Sequence, residues 1–98
     1  MATEWQLRLL NCLSDETRFD ILLTLKNGER CVCEIINELG KEQSLISHHL
    51  GALRRCGLVS CRREGQKMMY ALASPSISDL LDKIGRVSKK ISKCVLCD

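Results

Sequence analysis

The sequence predicts a mainly α-helical fold that carries one small β-hairpin, and three observations predict it. Apolar residues recur at three- and four-residue spacing through most of the chain. Two of those stretches, Cys31 to Leu39 and the run from Glu42, are separated by a tight turn at Gly40. Directly after them, the strand-like runs Leu58 to Arg63 and Met68 to Leu72 flank Glu64-Gly65-Gln66-Lys67, where Gly65 permits the positive φ that hairpin turns favour. Helix, tight turn, helix is the helix-turn-helix arrangement, whose second helix enters the major groove of DNA. With one two-stranded antiparallel wing it becomes a winged helix-turn-helix.

Each element has its own warrant. A first helix is expected over about Glu4 to Cys12, with Trp5, Leu9, Leu10 and Leu13 on an apolar side. Trp5 lies so near the terminus that a partner subunit is expected to cover it. Ser14 is expected to cap the second helix, with Asp15 and Glu16 at its positive dipole end. Phe19, Leu22 and Leu23 form its main stripe, widened by Ile21 and Leu25, and Asn27-Gly28 stops it. The third helix, from Cys31, buries Ile35, Ile36 and Leu39 and ends at Gly40.

The stretch Glu42 to Val59 is the centre of the reading. Ile46, Leu50 and Leu53 make one apolar stripe. Between those rungs stand Gln43, Ser44, Ser47, His48 and His49, side chains suited to reading a groove. Arg54 and Arg55 suit the last turn, and Gly57 supplies a left-handed cap. After the wing, Pro75 suits the first turn of a last helix. Its stripe of Ile77, Leu80, Leu81, Ile84, Val87 and Ile91 exceeds what so small a core can cover. It reads as a homodimer seam, shared with the first helix. A flexible cysteine-containing tail is expected over about residues 92–98, and the whole chain, 1–98, as one domain.

Charge distribution supports a nucleic-acid partner. The formal net charge is only +3. From Gln43 to Lys67, however, Arg54, Arg55, Arg62, Arg63 and Lys67 face the single acid Glu64, which leaves the rest of the chain near neutrality. Arg62, Arg63 and Lys67 are the expected phosphate contacts of the wing. Three aromatic residues are too few for single-strand recognition by stacking. No stretch approaches the roughly 20 apolar residues of a membrane span, and no secretory segment opens the chain, so a cytoplasmic location is expected.

In a reducing compartment, seven cysteines suit metal binding or redox switching better than structural disulfides. Cys31 and Cys33 would point ~200° apart in a regular helix. If the chain is extended before the cap, the two thiols converge where the helix dipole favours thiolate. Such a pair suits soft ions. Cys94 and Cys97 form a second, C-terminal pair. Cys56 and Cys61 read as packing residues.

Arg30-Cys31-Val32-Cys33-Glu34-Ile35, Ser47-His48-His49-Leu50, Gly57-Leu58-Val59 and Arg63-Glu64-Gly65, with Leu13-Ser14-Asp15 and Thr17-Arg18 upstream, resemble the ArsR/SmtB family. The resemblance covers nearly the whole chain to Tyr70. It implies a dimeric winged-helix repressor that leaves double-stranded operator DNA when it binds a metal or metalloid. The CVC motif is similar to that of the arsenic-, antimony-, cadmium- and lead-sensing branches. Arsenic sensors often carry a third thiolate one turn later, where this chain has Ile36. The resemblance therefore implies a third sulfur from Cys94 or Cys97, with Cys12 next. Zinc sensors of the family hold the ion on the last helix with Asp and His. Asp79 and Asp82 are present there but no histidine is, so that site is not expected. Cys56 matches a ligand position of one cadmium- and lead-sensing branch, whose partner cysteine is Ala52 here.

The function expected is operator release on binding of As(III) or Sb(III), or of cadmium or lead, with zinc as a further option, at Cys31, Cys33, Cys94 and Cys97. A thiol-redox switch through a reversible disulfide is the alternative. A thiol-disulfide oxidoreductase would need Cys94-x-x-Cys97 to open a helix in a βαβ unit, whereas here it ends the chain. No enzymatic activity is expected. A constitutive architectural DNA binder would be indifferent to thiol chemistry.

Overall fold

The computed structural model describes residues 1–97, with side chains through residue 95. Five helices surround a small antiparallel sheet: α1 (Glu4–Leu13), α2 (Glu16–Lys26), β1 (Arg30–Cys31), α3 (Val32–Leu39), α4 (Gln43–Arg55), β2 (Val59–Glu64), β3 (Lys67–Leu72) and α5 (Pro75–Cys97). This is the winged helix-turn-helix with one addition. The two-residue strand β1 joins the hairpin, so the sheet has the order β1-β3-β2. Arg30 pairs with Tyr70 and Cys31 with Met69, while β2 and β3 run in register from Val59 with Leu72 to Glu64 with Lys67.

The helix ends show where local chemistry decides. Thr3 and Gln6 form a capping box on α1, each side chain bonding the other's backbone N–H at 3.1 and 3.0 Å. Asp15, not Ser14, caps α2, its Oδ2 accepting from the Arg18 N–H at 2.9 Å. Ser14 is taken up by α1, because its hydroxyl donates to the Asn11 carbonyl at 2.8 Å. Arg18 closes the same corner, donating from Nε to Cys12 O and from Nη2 to Asn11 O. Carbonyls that the end of α1 would leave without partners are thereby satisfied.

Gly40 ends α3 in the left-handed region, at φ 65° and ψ 32°. Gly57, at φ 80°, ends α4 in a Schellman arrangement, with the Leu58 N–H on Leu53 O and the Gly57 N–H on Arg54 O, both at 3.0 Å. The six deepest side chains are Ile21, Leu22, Ile35, Ile46, Leu50 and Leu53, so the core lies where α2, α3 and α4 meet. α2 packs against α1, α3, α4 and β3. That position buries Ile21, Leu22, Thr24 and Leu25 and leaves the expected core residue Leu23 at 40 % exposure.

α5 divides its apolar stripe. Leu81 is buried in the protomer's own core and Ile77 packs against it, whereas Val87, Ile91 and Val95 are exposed. The expected seam is thus shorter than the stripe. The helix also continues through Cys97, so residues 92–97, within the expected flexible tail, extend α5.

Candidate nucleic-acid interface and thiol site

α4 has two faces of opposite character. Gln43, Ser44, Ser47 and His48 are exposed, while Ile46, His49, Leu50 and Leu53 are buried. His49 therefore corrects the sequence reading, since it does not stand with the groove-facing set. Its position completes the i, i+3, i+4, i+7 series with Ile46, Leu50 and Leu53, so helix geometry turns it inward. It is 8 % exposed, its Nε2 lies 3.8 Å from Asp15 Oδ2, and its Nδ1 is buried without a hydrogen-bond partner. The His48 ring meets it edge-on at 5.2 Å.

Arg63 and Lys67 are exposed on the wing. Arg62 is exposed but engaged: its Nε and Nη2 reach the two carboxylate oxygens of Glu29 at 2.8 and 2.6 Å, and Nη2 also reaches Glu64 at 3.3 Å. The fork geometry is the strong form of this contact. It holds Glu29 below the usual carboxylate range and raises Arg62 further.

The two cysteines of the CVC motif converge. Cys31 is the last residue of β1 and also the N-cap of α3, in extended conformation at φ −83° and ψ 166°. That departure from helical geometry brings its Sγ to 3.0 Å from Cys33 Sγ. Glu34 completes the cap, accepting the Cys31 N–H at 3.0 Å, while the Cys31 sulfur stands opposite the Glu34 amide. The pair shares protons unequally. Contact with Cys31 lowers the Cys33 thiol, helped by Lys67, and contact with Cys33 raises Cys31. Cys33 is exposed and Cys31 is buried.

A cavity of about 240 Å³ opens beside the pair, lined by Cys31, Val32, Cys33, Ile36, Gln43, Gln66, Lys67 and Met68. It touches α3, the first residue of α4 and the tip of the wing at once. That joint lining by Gln43 and Lys67 could not be read from spacing.

The other thiols lie elsewhere. Cys12 is buried in the core with Cys56 packed against that cluster, and burial first, then the Cys56 thiol, pushes Cys12 up to about 11. Cys61 is half-buried on β2. Cys94 is exposed on α5, and the Cys97 side chain lies outside the described residues. Among the described residues no three of Cys, His, Asp and Glu are gathered as a metal site, so within one chain Cys94 does not join Cys31 and Cys33. None of the helices searched among those residues is long and apolar enough to cross a membrane.

Residues 15–60 match the family model described as bacterial regulatory protein, arsR family. The arsenical resistance operon repressor of Staphylococcus aureus is 31% identical over 87 residues, covering 89% of this chain and 84% of that protein. The crystal structure of Rv0081 from Mycobacterium tuberculosis superposes with a TM-score of 0.89 at 31% identity, over 98% of this chain and 99% of that one. A homodimeric winged helix-turn-helix DNA-binding domain of Mycobacterium bovis, a possible ArsR-family regulator, gives 0.86 at 30% identity, over 92% and 83%. The chain belongs to the ArsR family of bacterial regulatory proteins, winged helix-turn-helix transcription regulators that bind DNA.

Proposed function

We propose that this chain is a homodimeric repressor that leaves operator DNA when a thiophilic metal or metalloid ion binds Cys31 and Cys33. One observation carries the reading: two thiols 3.0 Å apart border a cavity that Gln43 and Lys67 also line. Gln43, Ser44, Ser47 and His48 would meet bases and neighbouring phosphates, and Arg63 and Lys67 phosphates alone. Movement at the thiols would then reach both DNA-facing elements, through the start of α4 and through the tip of the wing. A coupling free energy of ~1–3 kcal/mol is typical of such linkage and is reciprocal.

The 3.0 Å sulfur contact places both thiols within reach of one soft ion, with As(III) or Sb(III) proposed first. When bound, such an ion would supply bonds that replace both thiol protons and fix both side chains. Cys94 of a second copy, or Cys97, is the proposed third sulfur. The S. aureus relative, an arsenical resistance repressor, supports the same class of effector.

Dimerisation follows from Trp5, Leu7 and Leu10 on α1 and Val87, Ile91 and Val95 on α5, large apolar side chains that one protomer leaves exposed. The M. bovis homodimer supports it. Two copies would present two α4 helices to half-sites one DNA turn apart.

The test is operator binding by reduced protein, titrated in parallel with arsenite, cadmium, lead, zinc and a mild oxidant. Release by arsenite that is lost in Cys31→Ser, Cys33→Ser protein is the expected result. Release of that variant at the wild-type concentration would refute the site. A second reading, the reversible disulfide, draws on the same thiol contact; a response to oxidant and to no metal would select it.

A further inference from the structure

We infer that the outward side of α5, with Lys83, Arg86, Lys89, Lys90 and Lys93, is a second DNA-binding surface. It takes the phosphate backbone of a duplex other than the one held by α4 and the wing. This surface uses none of the residues assigned to operator binding, and it rests on the proposed function only for the dimer seam.

From Lys83 to Cys97 the chain carries five cations and no acid. All five are exposed. A helix turns ~100° per residue, which gathers those cations on one side and puts Ile84, Val87, Ile91 and Val95 on the other. Among the described residues α5 makes one ion pair, Asp82 with Lys26, and it involves none of the five. Dipole complementarity does not account for them, because it acts in the last turn and the last turn of α5 holds no cation. The small net charge of the chain hides this patch, since the balancing acids stand on other elements and in the first turns of α5, at Asp79 and Asp82.

The chemistry of the patch selects a duplex backbone. Lys83 to Lys93 span ~15 Å of helix. A DNA strand presents a phosphate every ~3.4 Å, or about four or five over that length, and five cations match that density. None of the three aromatic residues stands on α5, so unstacked bases find no platform there. The apolar side that an anionic membrane would need is committed to the core at Ile77 and Leu81, and to the dimer seam beyond them. α5 packs on β3 and is tied to the end of α2 by the Lys26–Asp82 pair. Its cationic side and the exposed side of α4 both turn away from the core that Leu81 shares with Ile46, Leu50 and Leu53. A straight duplex against α4 and the wing therefore leaves the α5 cations uncovered, and a second duplex can meet them. A dimer would carry two such sides and bridge duplexes through backbone contacts alone.

The experiment compares the reduced full chain with its Lys89→Gln, Lys90→Gln, Lys93→Gln variant. A biotinylated duplex of random sequence, about 20 base pairs or two turns long, is held on beads. Protein is added, and capture of a labelled copy of that duplex from solution is measured. Wild type should capture it, and the variant should capture at least about tenfold less at low salt. The salt slope of capture should flatten by up to ~2.7, at ~0.9 for each cation removed. Binding of one duplex in DNA excess, read by fluorescence anisotropy, should stay nearly unchanged, and sedimentation should show the same assembly. Arginine at the same three positions should restore capture. Capture by the glutamine variant at the wild-type level, or a parallel loss of the first duplex, would overturn the inference. So would retention on phosphatidylserine vesicles without capture of duplex DNA. Operator release is measured separately. If arsenite releases operator from wild type while no second duplex is captured, the α5 surface fails and the repressor reading stands. If capture depends on the three lysines and no thiophilic agent displaces operator, the repressor reading fails and the α5 surface stands.

Discussion

Arg62 and Glu29 are clasped through both guanidinium donors and both carboxylate oxygens, so a cation of the wing is neutralised by the segment that leads into β1. Each phosphate contact contributes ~0.9 to the log–log dependence of DNA affinity on salt. Arg63→Gln should therefore flatten that slope by close to one such step, and Arg62→Gln by clearly less. Glu29→Gln should free Arg62 and steepen the slope. Fluorescence anisotropy with operator DNA across a salt series reads all three, and equal effects from Arg62 and Arg63 would contradict the clasp.

The thiol pair should titrate unevenly. Its contact with Cys31 places Cys33 below the ordinary thiol value of 9.0, and the same contact places Cys31 above it. Alkylation followed by peptide mapping should label exposed Cys33 first, with a rate that inflects below that of a free thiol. Cys33→Ser should bring Cys31 back down. Cadmium affinity should rise with pH while the thiols remain protonated, because the cation must displace their protons. Arsenite affinity should stay nearly flat there, since each proton leaves with a hydroxide as water.

Asp15 caps α2 and faces His49 of α4, so it should matter to folding more than its surface position suggests. Asp15→Ala should cost about 1 kcal/mol in urea denaturation, the usual value of a lost cap. Asp15→Asn, which keeps a capping oxygen, should cost less. The Arg18 backbone N–H holds the Asp15 carboxyl below its usual range. Its contribution is thus present above the usual carboxylate value and is lost as pH falls through the lowered one.

His48 and His49 should separate by phenotype. His49→Ala removes a buried side chain from the α2–α4 contact and should lower stability together with DNA binding. His48→Ala should leave the denaturation midpoint within ~0.5 kcal/mol, as for an ordinary surface change, and weaken operator more than random DNA. Equal losses on both DNAs would place His48 on the phosphate backbone.

Val87→Glu with Ile91→Glu should convert a dimer to a folded monomer, read by sedimentation and far-ultraviolet circular dichroism. Leu81→Ala should instead cost ~2–5 kcal/mol, because that residue belongs to the protomer core. A wild-type chain that sediments as a monomer at micromolar concentration would remove the basis for the seam.

The turns were legible because glycine chemistry is local. Gly40, Gly57 and Gly65 each carry positive φ where the sequence asked for it. The convergence of Cys31 and Cys33 was legible for the same reason, since an extended residue before a helix cap can be inferred from neighbours alone. His49 was also legible in the spacing of Ile46, Leu50 and Leu53, but its polar character drew it to the outer face. Glu29 and Arg62 stand 33 residues apart, and no local pattern pairs them. β1 escaped because two residues make a strand only when β3 arrives beside them. Ser14 and Asp15 were both acceptable caps, and the hydroxyl's contact with Asn11 decided between them.

The Cys31 amide has a use of its own. Its hydrogen is held by the Glu34 carboxylate at the junction of a strand and a helix, beside the sulfur pair. In deuterium exchange that one position is a clock for the first turn of α3. The amide bond holds Glu34 below its usual range, so its protection should outlast that of a carboxylate of ordinary acidity as the solution is acidified. A small set of peptides ending near residue 31 would thus time the opening of the thiol site directly, without DNA, dye or metal.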